Sequence, residues 1–260
     1  MDWIFIKKDS LLRRYWIDQN KIIDEQVEID GELFHHIFDV CRQGLGSRFE
    51  LISDDSFAYF SEVIKLGKKN AIVKILEKRQ LPVLKKPYIK LFLSIPKFST
   101  FELILEKSVE LGVSSIYPFV SEFSFVRKVD DRLENKADRW NRIITSATQQ
   151  TGRGDLMSLH SPCKLLEALN NFNQKENVLG LFPYEGDSQK HLRQRLEEVS
   201  SQKWEEIWLF IGSEGGFSQD EVELFKKYNI EPITLGAQIL RVETACLAVI
   251  SILKYQWQLL

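Results

Sequence analysis

"EIWLFIGSEGGFSQDEVELFKK", residues 206–227, changes structural type within one short stretch. Ile207 to Ile211 is an apolar run of strand length. Ser218 and Glu221 stand at capping-box spacing before a polar helix. Between them the chain places Gly212, Gly215 and Gly216. Strand, glycine turn, helix is the grammar of an α/β fold, and it puts the glycines at the edge where such sheets bind ligands. Glycines without Cβ atoms permit unusual dihedrals and close approach of a bound molecule to the main chain. The spacing is GxxGG, neither the GxGxxG of a dinucleotide site nor the GxxxxGKS of a P-loop. Taken alone, a tight structural turn and a ligand loop explain it equally well.

The same rhythm extends outward from Tyr88. "YIKLFLSI" (88–95) predicts a strand, and "FELILEKSVELG" an amphipathic helix with Ser99 and Glu102 as its capping box and Gly112 as its stop. "SSIYPFV", a long helix over 131–150, "NVLGLF" (177–182), a charged helix over 188–200, "EPITL" (231–235) and a final helix over 242–257 continue the series. Alternation of this kind predicts a mainly parallel sheet covered on both faces. Before residue 84 the pattern is different. "RFELI" (48–52), "FAYFSEVI" (57–64) and "AIVKIL" (71–76) read as strands joined by short turns, with one helix over Glu32 to Cys41. They predict a small barrel or curled sheet. "LPVLKKP" (81–87) reads as a linker, giving one region over 1–84 and another over 85–260.

A second turn repeats the first design. In "TLGAQILRVETACLAVISIL" (234–253) a strand end is followed by Gly236, an extended piece and a helix that is apolar almost all round, hence expected to be buried. Its mouth carries Arg241, Glu243 and Thr244. Desolvating charges there is costly without partners. Either Arg241 and Glu243 pair internally, or they form the polar end of an apolar ligand slot; the second reading is adopted.

Composition is that of an ordinary soluble protein: 260 residues, 44% hydrophobic and 28% charged, with a net charge of −2. That balance excludes a generally basic nucleic-acid binder but leaves room for local basic faces. Lys7, Lys8, Arg13 and Arg14 gather near the start. Arg127 to Arg153 carries seven basic residues against four acids; its middle part, Arg132 to Arg142, reads as a solvated helix face. No apolar run reaches membrane-spanning length and no signal-peptide pattern opens the chain, so a cytoplasmic location is expected. Cys41, Cys163 and Cys246 are widely spaced, which suggests neither a zinc site nor a disulfide framework; Cys246 is expected to be a buried thiol. His35, His36, His160 and His191 fall in no hydrolase triad motif.

"IGSEGGFSQDEVELF" followed by "LGAQILRVETACLAVIS" resembles the RsmE family of bacterial 16S ribosomal RNA uracil-N3 methyltransferases, whose pattern runs approximately IGPEGGFSxxE…LGxRILRTETA. "LILEKSVELGVSSIYPFVSEFS", "DRWNRIITSATQQTGR" and "FHHIFDVCRQGLGSRFEL" are similar to further segments of that family, so the likeness spans nearly the whole chain. The resemblance implies an α/β SPOUT methyltransferase domain whose C-terminal segment forms a trefoil knot, a rare exception to unknotted chains. It implies a PUA-like RNA-binding β-barrel before it, and a homodimer. S-adenosylmethionine (SAM) is the implied cofactor. Leu181, Phe182, Ile211, Gly212, Ser213, Glu214, Gly215, Gly216, Leu235, Gly236, Ile239, Leu240, Arg241, Glu243, Thr244 and Ala245 are the implied contacts. The implied partner is 16S ribosomal RNA or the assembled small subunit, with no metal and no membrane involved.

Uracil N3 must be unpaired, unstacked and deprotonated before it can accept a methyl group. Arg241, Glu214 and Glu243 are the catalytic candidates, as a cation for the anion or a carboxylate for the proton. Arg13, Arg14, Arg42, Lys97, Arg127 and Arg153 are the candidates for gripping RNA. The chain departs from the family pattern at Ser213 (usually Pro), Gln238 (usually Arg), Val242 (usually Thr) and Phe123 (usually Arg), and at "PKFST" (96–100), changes that bear on RNA grip more than on SAM. Ser213 also fits the SPOUT ribose 2′-O methyltransferases, whose last motif is absent here. A catalytically inactive RNA-binding relative is the other class of protein compatible with these departures.

Overall fold

The computed structural model describes residues 12–129, 133, 135–186 and 190–259. Lys7, Lys8 and Arg132, and the expected helix openings at 131 and 188, lie outside the described residues. Two compact units are formed. One takes in the chain up to Val83 together with Thr148–Leu156; the other takes in Leu84–Ala147 and the chain from Met157 onward.

The first unit is a six-stranded sheet. Its strands are β1 (Arg14–Trp16), β2 (Ile22–Ile23), β3 (Gln26–Asp30), β4 (Arg48–Ile52), β5 (Phe57–Leu66) and β6 (Asn70–Gln80), in the order β1-β4-β5-β6-β3-β2. All pairs are antiparallel except β1 with β4. The strand period of two turns Val27, Ile29, Phe49, Leu51, Val63 and Val73 inward, where Ile37 and Phe38 of the helical segment meet them. That segment covers the expected stretch, but only Gly31–Phe34 is α-helical; His35–Val40 widens into a π-helix. The sequence reading finds β4 to β6 and misses β1 to β3. β1 and β2 are too short to show a period, and β3 carries only Val27 and Ile29 among three polar residues.

Glu50 sits on β4 with its carboxylate buried. Arg14 Nε donates to one oxygen at 2.8 Å, and Arg79 Nε and Nη2 donate to both at 2.7 and 2.9 Å. Burial alone would raise the Glu50 pKa, but the hydrogen bonds from Arg79 and Arg14 outweigh it and hold the carboxyl below its ordinary value. Glu50→Gln is therefore expected to cost about 2 kcal/mol at neutral pH, as charge-assisted bonds become neutral ones. The folded-state pKa is the lower one, so the charge's contribution is full above the unfolded carboxylate value and is lost as pH falls through the folded value. Urea unfolding of both proteins at pH 7 and in acid checks this: the difference between them should shrink in acid.

The second unit is built on an all-parallel sheet. Its strands are β7 (Tyr88–Ser94), β8 (Ser115–Val120), β9 (Ser158–Leu159), β10 (Cys163–Lys164), β11 (Val178–Pro183), β12 (Lys190–His191), β13 (Glu206–Ile211) and β14 (Pro232–Thr234). The order is β10-β8-β7-β13-β11-β14-β12, with β9 alongside β8. Alternation sorts the side chains by kind. Leu91, Leu93, Leu181, Leu209 and Ile211 enter an aliphatic core with Ile104, Leu105, Val249 and Leu253. Phe92, Phe182, Trp208 and Phe210 enter an aromatic one with Phe217 and Phe225. In the latter, Phe92 stacks on Trp208 at 4.5 Å and Phe182 on Phe225 at 4.2 Å.

Ser218 caps the helix Gln219–Lys227 as expected: its side chain accepts from Glu221 N at 3.4 Å and Glu221 Oε2 accepts from Ser218 N at 3.0 Å. The other expected capping box fails. The helix Phe98–Glu110 begins with Lys97 as N-cap, which leaves Ser99 inside the first turn. Glu102 is taken instead by Arg139, which donates to both oxygens at 2.6 and 2.7 Å. A bidentate guanidinium is a stronger partner than a backbone amide.

The last helix, Val242–Gln256, also departs from expectation. It buries Val242, Ala245, Cys246, Val249, Ile250 and Leu253, one face at helical spacing, but leaves Ile252 and Tyr255 exposed, Tyr255 by 77%. Its apolar character therefore exceeds what this chain covers by itself. Cys246 is fully buried, and burial pushes its thiol well above the ordinary cysteine range. Among the described residues no helix is long and apolar enough to cross a membrane.

Candidate functional site

The carboxyl ends of four adjacent strands, β7, β13, β11 and β14, open on one cavity of about 590 Å³. That size lies within the range of small-molecule sites, and strand carboxyl ends are where open parallel sheets bind ligands. Lys97 and Thr100 come from beyond β7. Pro183, Tyr184 and Glu185 come from β11, residues 211–214, 216 and 217 from β13, and residues 234–243 with Ala245 from β14 and the last helix.

The glycine turn is closed by Gly216 N–H donating to Ser213 O at 2.9 Å. Ser213 is buried and donates from its hydroxyl to Phe123 O at 2.7 Å. Gly212 has no room for a side chain: a Cβ there would lie 2.9 Å from the Gly216 backbone. Gly216 has φ +66°, and a Cβ there would collide with the Glu185 carboxylate. Gly212 thus requires glycine for close approach of backbone, and Gly216 for its backbone conformation. Both line the cavity with bare main chain, a cradle that a side chain at Gly216 would enter beside Glu185. The opposite turn is pinned by Thr234, whose Oγ1 lies 3.2 Å from both the N and the O of Gly236.

Apolar walls and few charges complete the site. Ile211, Leu235, Leu240, Val242 and Ala245 supply the walls, and Lys97, Arg241, Glu185, Glu214 and Glu243 supply the charges. Glu214 is held in place by Lys97 N–H, which donates to Oε1 at 3.1 Å. Arg241 is the N-cap of the last helix and is exposed. It forms no ion pair with Glu243 among the described residues, so the internal-pair reading is not realised. An apolar slot lined by both carboxylates and cations suits an organic ligand that carries charges of both signs.

Of the residues expected at the cofactor, Ile211, Gly212, Ser213, Glu214, Gly216, Leu235, Gly236, Ile239, Leu240, Arg241, Glu243 and Ala245 line this cavity. Leu181 and Phe182 do not; both are fully buried, in the aliphatic and the aromatic core. Gly215 turns instead toward Phe123, whose Cβ would be 2.7 Å from a Cβ placed on it. Thr244 is exposed and outside the lining. Sequence reasoning missed Thr100, Pro183, Tyr184, Glu185, Phe217, Thr234, Ala237 and Gln238 as lining residues. The strand-end rule would have found Pro183 to Glu185, directly beyond "NVLGLF".

The expected RNA-contacting cations fall into two sets. Lys97 lines the cavity; Arg13, Arg42 and Arg127 are exposed. Arg14 is engaged with Glu50. Arg153 is buried, with Nε and Nη2 donating to the Asp155 carboxylate at 3.2 and 2.6 Å, so it is not an exposed clamp.

Comparison with known proteins agrees with this geometry. A family model described as an RNA methyltransferase domain matches residues 84–254, and one described as an RNA methyltransferase PUA domain matches residues 29–76. The ribosomal RNA small subunit methyltransferase E of Bacillus subtilis is 30% identical over 264 aligned positions, covering 96% of this chain and 98% of the relative. The protein of the same name from Helicobacter pylori (strain 26695) is 31% identical, covering 87% and 93%. Among solved structures, a ribosomal RNA small subunit methyltransferase E from Neisseria gonorrhoeae bound to SAM superposes with a TM-score of 0.82 at 26% identity, covering 95% of this chain and 98% of that one. A putative methyltransferase from Legionella pneumophila, also with bound SAM, gives 0.83 at 27%, covering 94% and 97%.

Proposed function

This chain belongs to the RNA methyltransferase family of the ribosomal RNA small subunit methyltransferase E proteins, and from that premise we propose that it methylates N3 of a uridine in 16S ribosomal RNA with SAM as methyl donor. The observation that carries the reading is the cavity at the ends of β7, β13, β11 and β14: bare glycine backbone on one wall, with three carboxylates and an Arg241 that has no carboxylate partner among the described residues in the same lining. The cradle at Gly212 and Gly216 fits a cofactor that meets the main chain. Ile211, Leu235, Leu240 and Ala245 would hold its apolar parts, and Glu185, Glu214 and Glu243 its cationic ones. When bound, SAM supplies an electrophilic methyl group on a sulfonium.

The chain's own residues then have a positioning and a proton-handling task. Uracil N3 is a weak acid and becomes nucleophilic only as its proton leaves. Arg241, exposed at the cavity and free of a carboxylate partner among the described residues, is the group to hold the anion so formed. Glu214 and Glu243 are the carboxylates able to receive the proton. Glu243 lies in the first turn of the last helix, and Glu214 is oriented by the Lys97 amide.

The first unit, with the match to a PUA domain, serves in this reading as the RNA grip. Exposed Arg13 and Arg42 are its phosphate contacts. The division of the chain near residue 84, the C-terminal trefoil knot and a homodimer closing the uncovered face of the last helix all belong to the same proposal. The function is tested by offering labelled SAM and the protein both ribosomal subunits from cells lacking this gene; label is expected in the small-subunit RNA alone.

Arg42 separates grip from stability. Because it is exposed, Arg42→Ala should leave folding unchanged and reduce the salt slope of RNA binding by about 0.7 to 1, the share of one phosphate contact. Arg14→Ala should instead lower stability, because it strips a partner from buried Glu50. Filter binding across a salt series, with thermal unfolding of both variants, measures the difference.

A further inference from the structure

We propose that Phe123 and Phe125 form a stacking platform for an unpaired base of the RNA substrate, next to the base that reacts. The inference rests on the reading above and adds a site to it. The two rings stand on residues 121–126, just beyond the carboxyl end of β8. Ser121, Ser124 and Val126 point inward and are buried; Phe123 and Phe125 alternate with them and are 39% and 54% exposed.

This loop is held unusually firmly for one that presents apolar rings to solvent. Ser94 Oγ lies 2.5 Å from Ser121 Oγ and 3.0 Å from Ser124 Oγ, all three buried. Ser121 N–H donates to Ser124 Oγ at 2.7 Å, and Phe125 N–H to Ile95 O at 2.8 Å. Glu122 N–H donates to Glu221 Oε1 at 2.9 Å, and Ser213 Oγ to Phe123 O at 2.7 Å. The last two bonds join the loop to the glycine turn and to the helix behind it. The main chain that carries the rings is thereby fixed to the glycine turn, and little backbone ordering remains to be done when a ligand arrives.

The surroundings select the ligand. Phe125 packs edge-on against Phe98, with ring centroids 5.5 Å apart, and Lys136 Nζ stands 5.1 Å from the Phe98 centroid. The exposed Arg127 guanidinium donates to Glu122 O within the loop itself. Lys97, next to Phe98 in the chain, is exposed and lines the cavity. Aromatic rings interleaved with cations match a single-stranded nucleic acid, whose bases stack on the rings while its phosphates meet the charges. A base drawn out of its stack for reaction leaves its neighbour without a stacking partner, and a fixed phenyl ring can replace it.

The test is binding of a short single-stranded RNA carrying 2-aminopurine beside a uridine, with methyl transfer to small-subunit RNA measured in parallel. Phe123→Ala keeps the Cβ that meets Gly215 and removes only the ring. Each of Phe123→Ala and Phe125→Ala should weaken RNA binding about tenfold, within the range found for single stacked bases. The quenching of 2-aminopurine should fall with it, while the salt slope and SAM affinity stay unchanged. Tyrosine at either position should restore binding and leucine should not, because leucine offers apolar area without a π face. Unchanged RNA affinity in the double alanine variant overturns the platform. So does full rescue by leucine, which would mark a protein-docking surface instead. Should the parent protein bind RNA but transfer no methyl group, the methyltransferase reading fails while the platform is still judged by the binding data; if it binds no RNA, both fail.

Discussion

Replacing Gly216 by valine is expected to abolish SAM binding while the protein still folds. Gly216 has φ +66°, a conformation that β-branched residues avoid, and its open side faces the cavity and the Glu185 carboxylate. Valine therefore strains the turn, fills the cradle and pushes Glu185 out of place. Backbone strain of this kind costs about 1–3 kcal/mol. That strain lowers stability; affinity falls separately, because the valine side chain occupies the cradle, and losing about 4 kcal/mol of contact would lower it about a thousandfold, at about 1.4 kcal/mol per factor of ten. Isothermal titration with SAM, beside a thermal unfolding curve, measures both parts. A folded Gly216→Val protein that binds SAM as the parent does would remove the cavity from the account.

Arg241→Ala separates the two roles that a charged residue at this position can have. The sequence leaves open an internal pair with Glu243, in which case alanine would strand a buried carboxylate and destabilise the fold. The structure has Arg241 exposed at the helix mouth with no such pair. Stability and SAM affinity should consequently be nearly unchanged, and single-turnover methylation should slow by about a hundredfold or more, the usual effect of losing one charge-stabilising donor. Arg241→Lys should rescue poorly, since a point charge does not reproduce a planar fork. Normal turnover in Arg241→Ala would show that the guanidinium does not meet the developing anion.

The parts of this molecule that can be read from sequence are those governed by local rules. "EIWLFI" alternates so strictly that Ile207, Leu209 and Ile211 reach one core and Trp208 and Phe210 the other. Ser218 and Glu221 cap their helix as their spacing demands, because no stronger partner competes. Ser99 and Glu102 have the same spacing and fail, because Arg139, far along the chain, claims the carboxylate. Long-range competition of that kind leaves no local trace. The site divides in the same way. Its two glycine turns are visible in sequence, and the strand-end rule reaches Glu185 as well; that it shares a cavity with both turns follows only from the place of β11 between β13 and β14. Arg153 shows the converse: a cation in a basic stretch reads as surface, yet Asp155 two residues on lets it be buried.

The central claim is that this cavity directs a methyl group to a base nitrogen. It is tested most directly by digesting small-subunit ribosomal RNA to nucleosides after incubation with the protein and SAM, using RNA from cells lacking the gene, and separating the products by chromatography with mass detection. The account predicts one new product, 3-methyluridine, absent when SAM is omitted and strongly reduced with Arg241→Ala. A 2′-O-methylated nucleoside in its place, or no methylated product, would contradict it.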